Sequence, residues 1–379
     1  MCDFFVYFKK KQYLCTRFAE EHYIIKPQGN ETKSKITFDD GMWRSPVAQR
    51  SGGPEVASSN LVIPTKAVDF QLLFLFKNHI MALRGKYEQS HVAVKLIQWL
   101  GCMFLFFIPA MGSIFLFSLP LSINALKWTQ LIQTVAIFLL PPLCMAYIWA
   151  PEPLKWLKVT GERRKIKGEF IWAIAIMLAA LPAINLLSSW NEQMTLPTFL
   201  EPLEQWMKQQ EEAAKILTDK FLSARTLDVV LINLLLMAVL PAVAEELTFR
   251  GMLQRLLIGE GMGLHLAIWC SAILFSAIHM QFYGFLPRML MGALFGYMLV
   301  WTGSLWVPIL MHFTNNAMAV ILYFVTTRAG WDMEKVDAIG TGNTLWIGIA
   351  SLVITIVGIY AFRRSTTMSN ASSRMSSGN

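Results

Sequence analysis

Residues 229–250 read VVLINLLLMAVLPAVAEELTFR. The stretch is almost wholly apolar through Ala244 and then carries Glu245, Glu246 and Arg250. It has the length of a membrane-spanning helix, about 20 residues. One ionisable side chain at the centre of such a helix costs roughly 2.5–3.5 kcal/mol, so three in six positions ask for a function. Two more polar groups follow on apolar segments. His279 closes Phe275-Ser276-Ala277-Ile278-His279, and His312 precedes Asn315 and Asn316 in His312-Phe313-Thr314-Asn315-Asn316. A carboxylate pair, two imidazoles and a carboxamide within one membrane bundle suggest hydrolytic chemistry.

The rest of the chain fits a membrane setting. Of its 379 residues 55% are hydrophobic and 15% charged, where soluble domains carry about a quarter charged. Mean hydropathy is +0.45. The net charge of +8 does not mark a nucleic-acid binder. Much of it sits in short loops and tails, where Lys and Arg set membrane orientation. Cys2, Cys15, Cys102, Cys144 and Cys270 show no paired spacing, so neither a disulfide framework nor a metal knuckle is indicated. The polar, mixed N-terminus is not that of a cleavable signal peptide.

Eight apolar spans are legible, at about Leu96–Leu119, Thr129–Trp149, Phe170–Trp190, Leu227–Phe249, Met262–Met280, Leu286–Trp301, Leu305–Phe324 and Leu345–Phe362. The expected fold is an all-α polytopic membrane protein of about eight helices, occupying residues 81–364. Residues 1–80 are a polar extension, read either as a disordered tail or as sequence upstream of a true start at Met81. Residues 365–379 are serine-rich, expected to be disordered, and lack a prenylation motif. Lys155, Lys158, Arg163, Arg164, Lys165 and Lys167 make the loop after the second span cytoplasmic, and Arg363-Arg364 do the same for the tail. Asn191–Thr226, with Glu192, Glu201, Glu204, Glu211, Glu212 and Asp219, then lies outside. Both termini then fall on the cytoplasmic side. Within the outer connection Phe199, Leu203, Trp206 and Met207 recur at helical spacing. They predict either an amphipathic helix lying on the membrane or a solvated loop helix.

Glu246 and Arg250 are four apart and share a helix face, so each can neutralise the other. Glu245 points about 100° away and gains no such partner, which leaves it to take and return a proton. His312 and Asn316 are one turn apart. An imidazole N–H and a carboxamide aimed at one point make an oxyanion hole, although helix–helix hydrogen bonding uses the same groups. On chemistry alone Asn315 serves as well as Asn316. A lone histidine at a helix end is often an interface residue, so the role of His279 rests on its company. Gly292 and Gly296 form a small-xxx-small face for close helix packing. There is no His-Glu-x-x-His, no Gly-x-Ser-x-Gly and no pair of intramembrane aspartates.

In order and placement, Glu-Glu-x-x-x-Arg, Phe-x-x-x-His and His-x-x-x-Asn resemble the CAAX-prenyl-protease and bacteriocin-processing (CPBP or Abi) family of intramembrane glutamic endopeptidases, over about Leu227–Tyr323. The resemblance implies Glu245 as base, His279 orienting a water, and His312 with Asn316 as oxyanion donors. Glu246–Arg250 is then a structural ion pair. No cofactor is implied; in an alternative reading Glu245, His279 and His312 ligate zinc and Glu246 is the base. The implied partners are membrane lipid and a peptide or membrane-protein substrate. A proton-coupled transporter or a peptide-binding scaffold is the rival class, since intramembrane carboxylates and histidines also relay protons. For the site to assemble, the helix bearing Glu245 must run on toward Leu257, and the next must extend past Met280.

Overall fold

The computed structural model describes residues 77, 80–116, 122–161, 168–222, 226–259 and 261–376. The expectations for the N-terminal extension, and four of the loop cations (Arg163, Arg164, Lys165 and Lys167), lie outside the described residues. Among those described the secondary structure is helical, without strands. A lipid-facing backbone has no water to bond, and an α-helix satisfies its own N–H and C=O groups. The protein is an all-α polytopic membrane protein.

Among the described residues nine longer helices organise it. They are α1 (Val92–Gly112), α2 (Ile123–Trp149), α3 (Glu169–Glu192), α4 (Glu201–Leu222), α5 (Leu227–Gly259), α6 (Leu264–Ala277), α7 (Phe285–Thr302), α8 (Trp306–Ala329) and α9 (Leu345–Ser376). Among the described residues seven helical segments are long and apolar enough to cross a membrane; α6, at 14 residues, is a shorter apolar eighth. Helix α9 continues through residues 365–376, where composition suggested disorder. Its apolar span has already nucleated the helix, so each further residue adds cheaply. Ile97, Phe104 and Leu105 on α1 and Val353, Ile354 and Val357 on α9 remain exposed, as side chains facing lipid should.

The interior has two main apolar clusters. One gathers Trp149, Leu157, Met252 and Leu305, and the other Met177, Phe295, Met298 and Phe362. At one end of the bundle Leu305 N–H donates to the Lys158 carbonyl at 2.9 Å and Trp306 Nε1 to Val159 at 3.0 Å. At the other end Asn191 ties down the turn before α7. Its Nδ2 donates to the Phe282 carbonyl (3.0 Å) and its Oδ1 accepts from Leu286 N–H (2.7 Å).

Prolines inside the spans release carbonyls that neighbouring side chains take up. Pro142 has no N–H to offer the carbonyl four residues before it, and Thr248 Oγ1 donates to that Phe138 oxygen at 2.6 Å. Pro241 likewise frees the Met237 carbonyl, which accepts from Asn316 Nδ2 at 3.2 Å. Both prolines follow short π-helical stretches, Val135–Leu139 and Leu234–Val239. Hydrogen bonds that were local in the helix have become bonds between helices.

Helix α4 is the helix expected between Asn191 and Thr226. Glu204 accepts from Leu196 N–H (3.2 Å) and pairs with Lys208 (2.8 Å), and Trp206 packs on Phe282 with ring centroids 5.9 Å apart. Phe199 stays exposed. The C-terminal half does more than lie on a surface, since Thr218 and Leu222 line an internal cavity.

Candidate active site

Helix α5 runs 33 residues, to Gly259, so Glu245 and Glu246 lie well inside it as the extended-helix expectation requires. Directly after Glu246 the helix widens into a π-helical segment, Leu247–Leu253, and every residue of it is buried. Ser271 Oγ on α6 fastens this segment by donating to the Phe249 carbonyl at 3.0 Å. The segment carries Arg250.

Arg250 and Glu246 are both fully buried and meet at 2.6 Å. The guanidinium also lies 4.3 Å from the Phe275 ring centroid and 5.3 Å from that of Phe295. Its Nε and Nη2 have no hydrogen-bond partner, so one carboxylate and the rings of Phe275, Phe295 and, at 6.0 Å, Phe249 hold the cation. The small-xxx-small face of α7 makes room for it. A Cβ on Gly292 would sit 2.9 Å from Arg250 Nη2, and one on Gly296 2.5 Å from Gln254 Oε1. Gln254 Nε2 instead donates to the Gly296 carbonyl at 3.2 Å. The two glycines therefore serve a charged helix as well as close packing.

His312, buried on α8, places Nδ1 3.0 Å from Glu246 Oε1 and Nε2 3.9 Å from Glu245 Oε2. A carboxylate paired with arginine accepts, so Nδ1 carries a proton. His279 Nδ1 lies 2.7 Å from the Phe275 carbonyl. A carbonyl only accepts, so this nitrogen is also the donor, and Nε2 faces Glu245 Oε2 at 3.8 Å. Oε2 itself is buried without a direct hydrogen bond. Both imidazoles are thus turned by their Nδ1 partners to present Nε2 to one carboxylate oxygen. Phe275 orders the rings as well, with edge contacts to His279 (5.1 Å) and His312 (5.8 Å), while Phe295 stacks on His312 at 5.5 Å.

His279 does not arrive as expected. Helix α6 ends at Ala277, and Met280 takes a positive φ of 56°, so the helix does not extend past Met280. The chain must reverse within the few residues before α7, and Ser276 Oγ holds the reversal by donating to the Phe285 carbonyl at 2.7 Å. The turn delivers His279 to Glu245.

Asn316 is held from both sides. Its Nδ2 uses one N–H on Met237, and its Oδ1 accepts from Asn315 Nδ2 at 3.2 Å. Asn316 also lines a cavity. That cavity, about 510 Å³, is lined by Glu245, His279, His312, Asn315 and Asn316. Gln281 and Arg288 line it too, and the motif reading gave neither a role. Among the described residues no group of three His, Cys, Asp or Glu side chains is arranged to hold a metal ion. The zinc reading of Glu245, His279 and His312 lacks that support.

A carboxylate oxygen buried between two imidazoles lies inside a multi-pass helical membrane protein. Residues 227–318 match the model of the Type II CAAX prenyl endopeptidase Rce1-like family. The uncharacterized protein YpbD of Bacillus subtilis (strain 168) is 31% identical over 90 residues, which are 23% of this chain and 43% of that relative. The chain thus spans less than half the length of the curated relative it matches. No solved structure matches the chain.

Proposed function

We propose that this protein is an intramembrane endopeptidase that hydrolyses peptide bonds with a water activated by Glu245. One observation carries the reading: Glu245 Oε2, free of direct hydrogen bonds, faces Nε2 of both His279 and His312 at 3.8 and 3.9 Å within the cavity. Such gaps, beyond direct bonding, suit a shared water. His279 Nε2 accepts one O–H of that water and Glu245 takes its other proton as the oxygen attacks the scissile carbonyl carbon. The tetrahedral oxyanion is held by Asn316 Nδ2 and by His312 Nε2–H. With Nδ1 already donating to Glu246, His312 serves as that donor in its imidazolium form, flanked by two carboxylates. Glu245 then returns the proton to the leaving nitrogen, and the C–N bond breaks to give a carboxylic acid and an amine. No step uses a metal ion.

The substrate class is a peptide or a membrane protein, and bacteriocin maturation or self-immunity is the proposed setting. Purified protein in proteoliposomes should release cleaved peptide without a proton gradient. Proton-driven flux with no cleavage would make it a transporter instead. The precursor should appear uncleaved when membrane proteomes of cells carrying wild type and Glu245→Ala are compared.

The proposed location is the bacterial cytoplasmic membrane, with both termini cytoplasmic and Asn191–Thr226 outside. In support, Lys158 and Val159 lie at the same end of the bundle as Leu305 and Trp306, while α4 meets Phe282 at the other. A cysteine placed at Gln209, on a background lacking the native cysteines, should label from outside intact cells, and one at Lys165 should not. The opposite pattern would overturn the topology.

A further inference from the structure

Two further cavities meet at Trp306, at the end of the bundle where the Lys158 carbonyl accepts from Leu305 N–H. The first, about 210 Å³, sits beside the turn between α7 and α8, and Lys158, Thr160, Gly161, Ser304 and Trp306 line it. The second, about 460 Å³, is a groove between α3, α5 and α8. Its lining is apolar throughout and includes Val239, Val243, Ile309 and Phe313. From Trp306 to Phe313 the groove follows α8 for about 10 Å, at 1.5 Å per residue. Among the described residues neither cavity shares a lining residue with the one around Glu245.

The polar pocket is cationic. Lys155 is paired with Glu152 at 3.4 Å, but among the described residues Lys158 and Arg255 have no ion pair. Burial, and then the charges of Arg255 and Lys155, push the Lys158 ammonium below its usual range. The Arg255 guanidinium lies 4.8 Å from the Trp156 ring centroid, and its Nη1 is buried without a hydrogen bond. Cations crowded in this way disfavour one another's charge, and an anion among them favours it. Lys158 also takes a positive φ of 61°. Glycine adopts that backbone freely, so the lysine stands there at a conformational cost.

We propose that the two cavities form one site for an anionic phospholipid of the surrounding membrane, with its headgroup at Lys158 and one acyl chain in the groove between α5 and α8. A soluble anion would use the pocket alone. A charged pocket that opens at Trp306 onto an apolar groove matches a ligand whose charge is joined to hydrocarbon. Trp306 is itself partly exposed, and tryptophan favours the headgroup level of a bilayer. In the proposed topology this end is cytoplasmic, the side where basic residues meet anionic lipid. Val243 lies two residues before Glu245, and Phe313 follows His312. The bound chain therefore packs on the two helices that carry the carboxylate and its histidine. The site does not depend on what those residues catalyse.

Photolabelling tests the site. The full chain in phosphatidylcholine nanodiscs is offered a trace of phosphatidylglycerol or of phosphatidylcholine, each with a diazirine in one acyl chain. Labelled residues are then mapped by mass spectrometry. Phosphatidylglycerol should label Ile309, Leu310 and Phe313 about five- to thirtyfold more than phosphatidylcholine does, the attraction of one or two basic side chains. Lys158→Gly removes the ammonium and suits the positive φ, so the fold is kept while the selectivity drops about fivefold. Val239→Trp fills the groove and should abolish labelling there by both lipids. Each variant should melt as the wild type does in phosphatidylcholine. Equal labelling by the two lipids overturns the proposal, as does selectivity unchanged by Lys158→Gly or labelling unchanged by Val239→Trp. Thermal stabilisation by inorganic phosphate, with no labelling by phosphatidylglycerol, overturns it too and leaves a pocket for soluble anions.

Discussion

Glu245→Gln is expected to lower kcat for peptide cleavage by roughly 10²–10⁴-fold, the range that a positioned general base contributes. Folding and peptide affinity should be unchanged. The basis for separating these effects is local. Glu245 Oε2 makes no direct hydrogen bond, and its neighbours at 3.8 and 3.9 Å are histidine ring nitrogens, beyond direct bonding. Glutamine keeps the shape and a hydrogen-bonding oxygen, but it has no site for the proton that must leave the water. Stopped cleavage with a normal melting temperature in detergent is the outcome that supports the base assignment. Exhaustive chelation should leave the wild-type rate unaltered. A normal rate for the variant would falsify the role of Glu245; loss of activity on chelation, restored by zinc, would replace the metal-free scheme.

The fold was legible because membrane helices are written in long apolar runs. The 33-residue α5 was also foreseeable, since Leu253, Leu256 and Leu257 continue the apolar pattern beyond Arg250. What hydropathy could not show is where a short helix stops. Ile278 and Met280 are apolar, so α6 looked longer than it is, although the tight reversal to α7 is what brings His279 to Glu245. The constellation itself was visible from residue type and spacing, and the structure gathers Glu245, His279, His312 and Asn316 around one cavity. Its wiring was not. That His312 Nδ1 is bound to Glu246 is a contact between α5 and α8, and no local rule reports it. The Asn316 bond to Met237 had a partial signal, because Pro241 must release the carbonyl four residues before it. Arg288 carried no reading in the sequence; the structure places it on the cavity wall.

Glu246→Gln should behave unlike Glu245→Gln, and the difference lies in Arg250. The pair is fully buried at 2.6 Å. Removing one partner of such a pair leaves a charge stranded in low dielectric, at a cost of about 3–5 kcal/mol. The variant is therefore expected to melt at a clearly lower temperature in detergent and to lose activity as well. Adding Arg250→Met removes the stranded charge and puts a thioether among Phe249, Phe275 and Phe295, the rings that now surround the guanidinium, where sulfur–aromatic contacts are favourable. The double variant should regain part of the stability, a coupling that a double-mutant cycle measures directly. Turnover should not return, because Glu246 is also the acceptor that holds His312 Nδ1 at 3.0 Å, and an uncharged amide no longer supports the imidazolium needed at the oxyanion. A stable but inactive double variant fits Glu246 as both brace and histidine anchor. If the double variant recovers cleavage along with its fold, the histidine anchor is wrong and Glu246 is a brace alone.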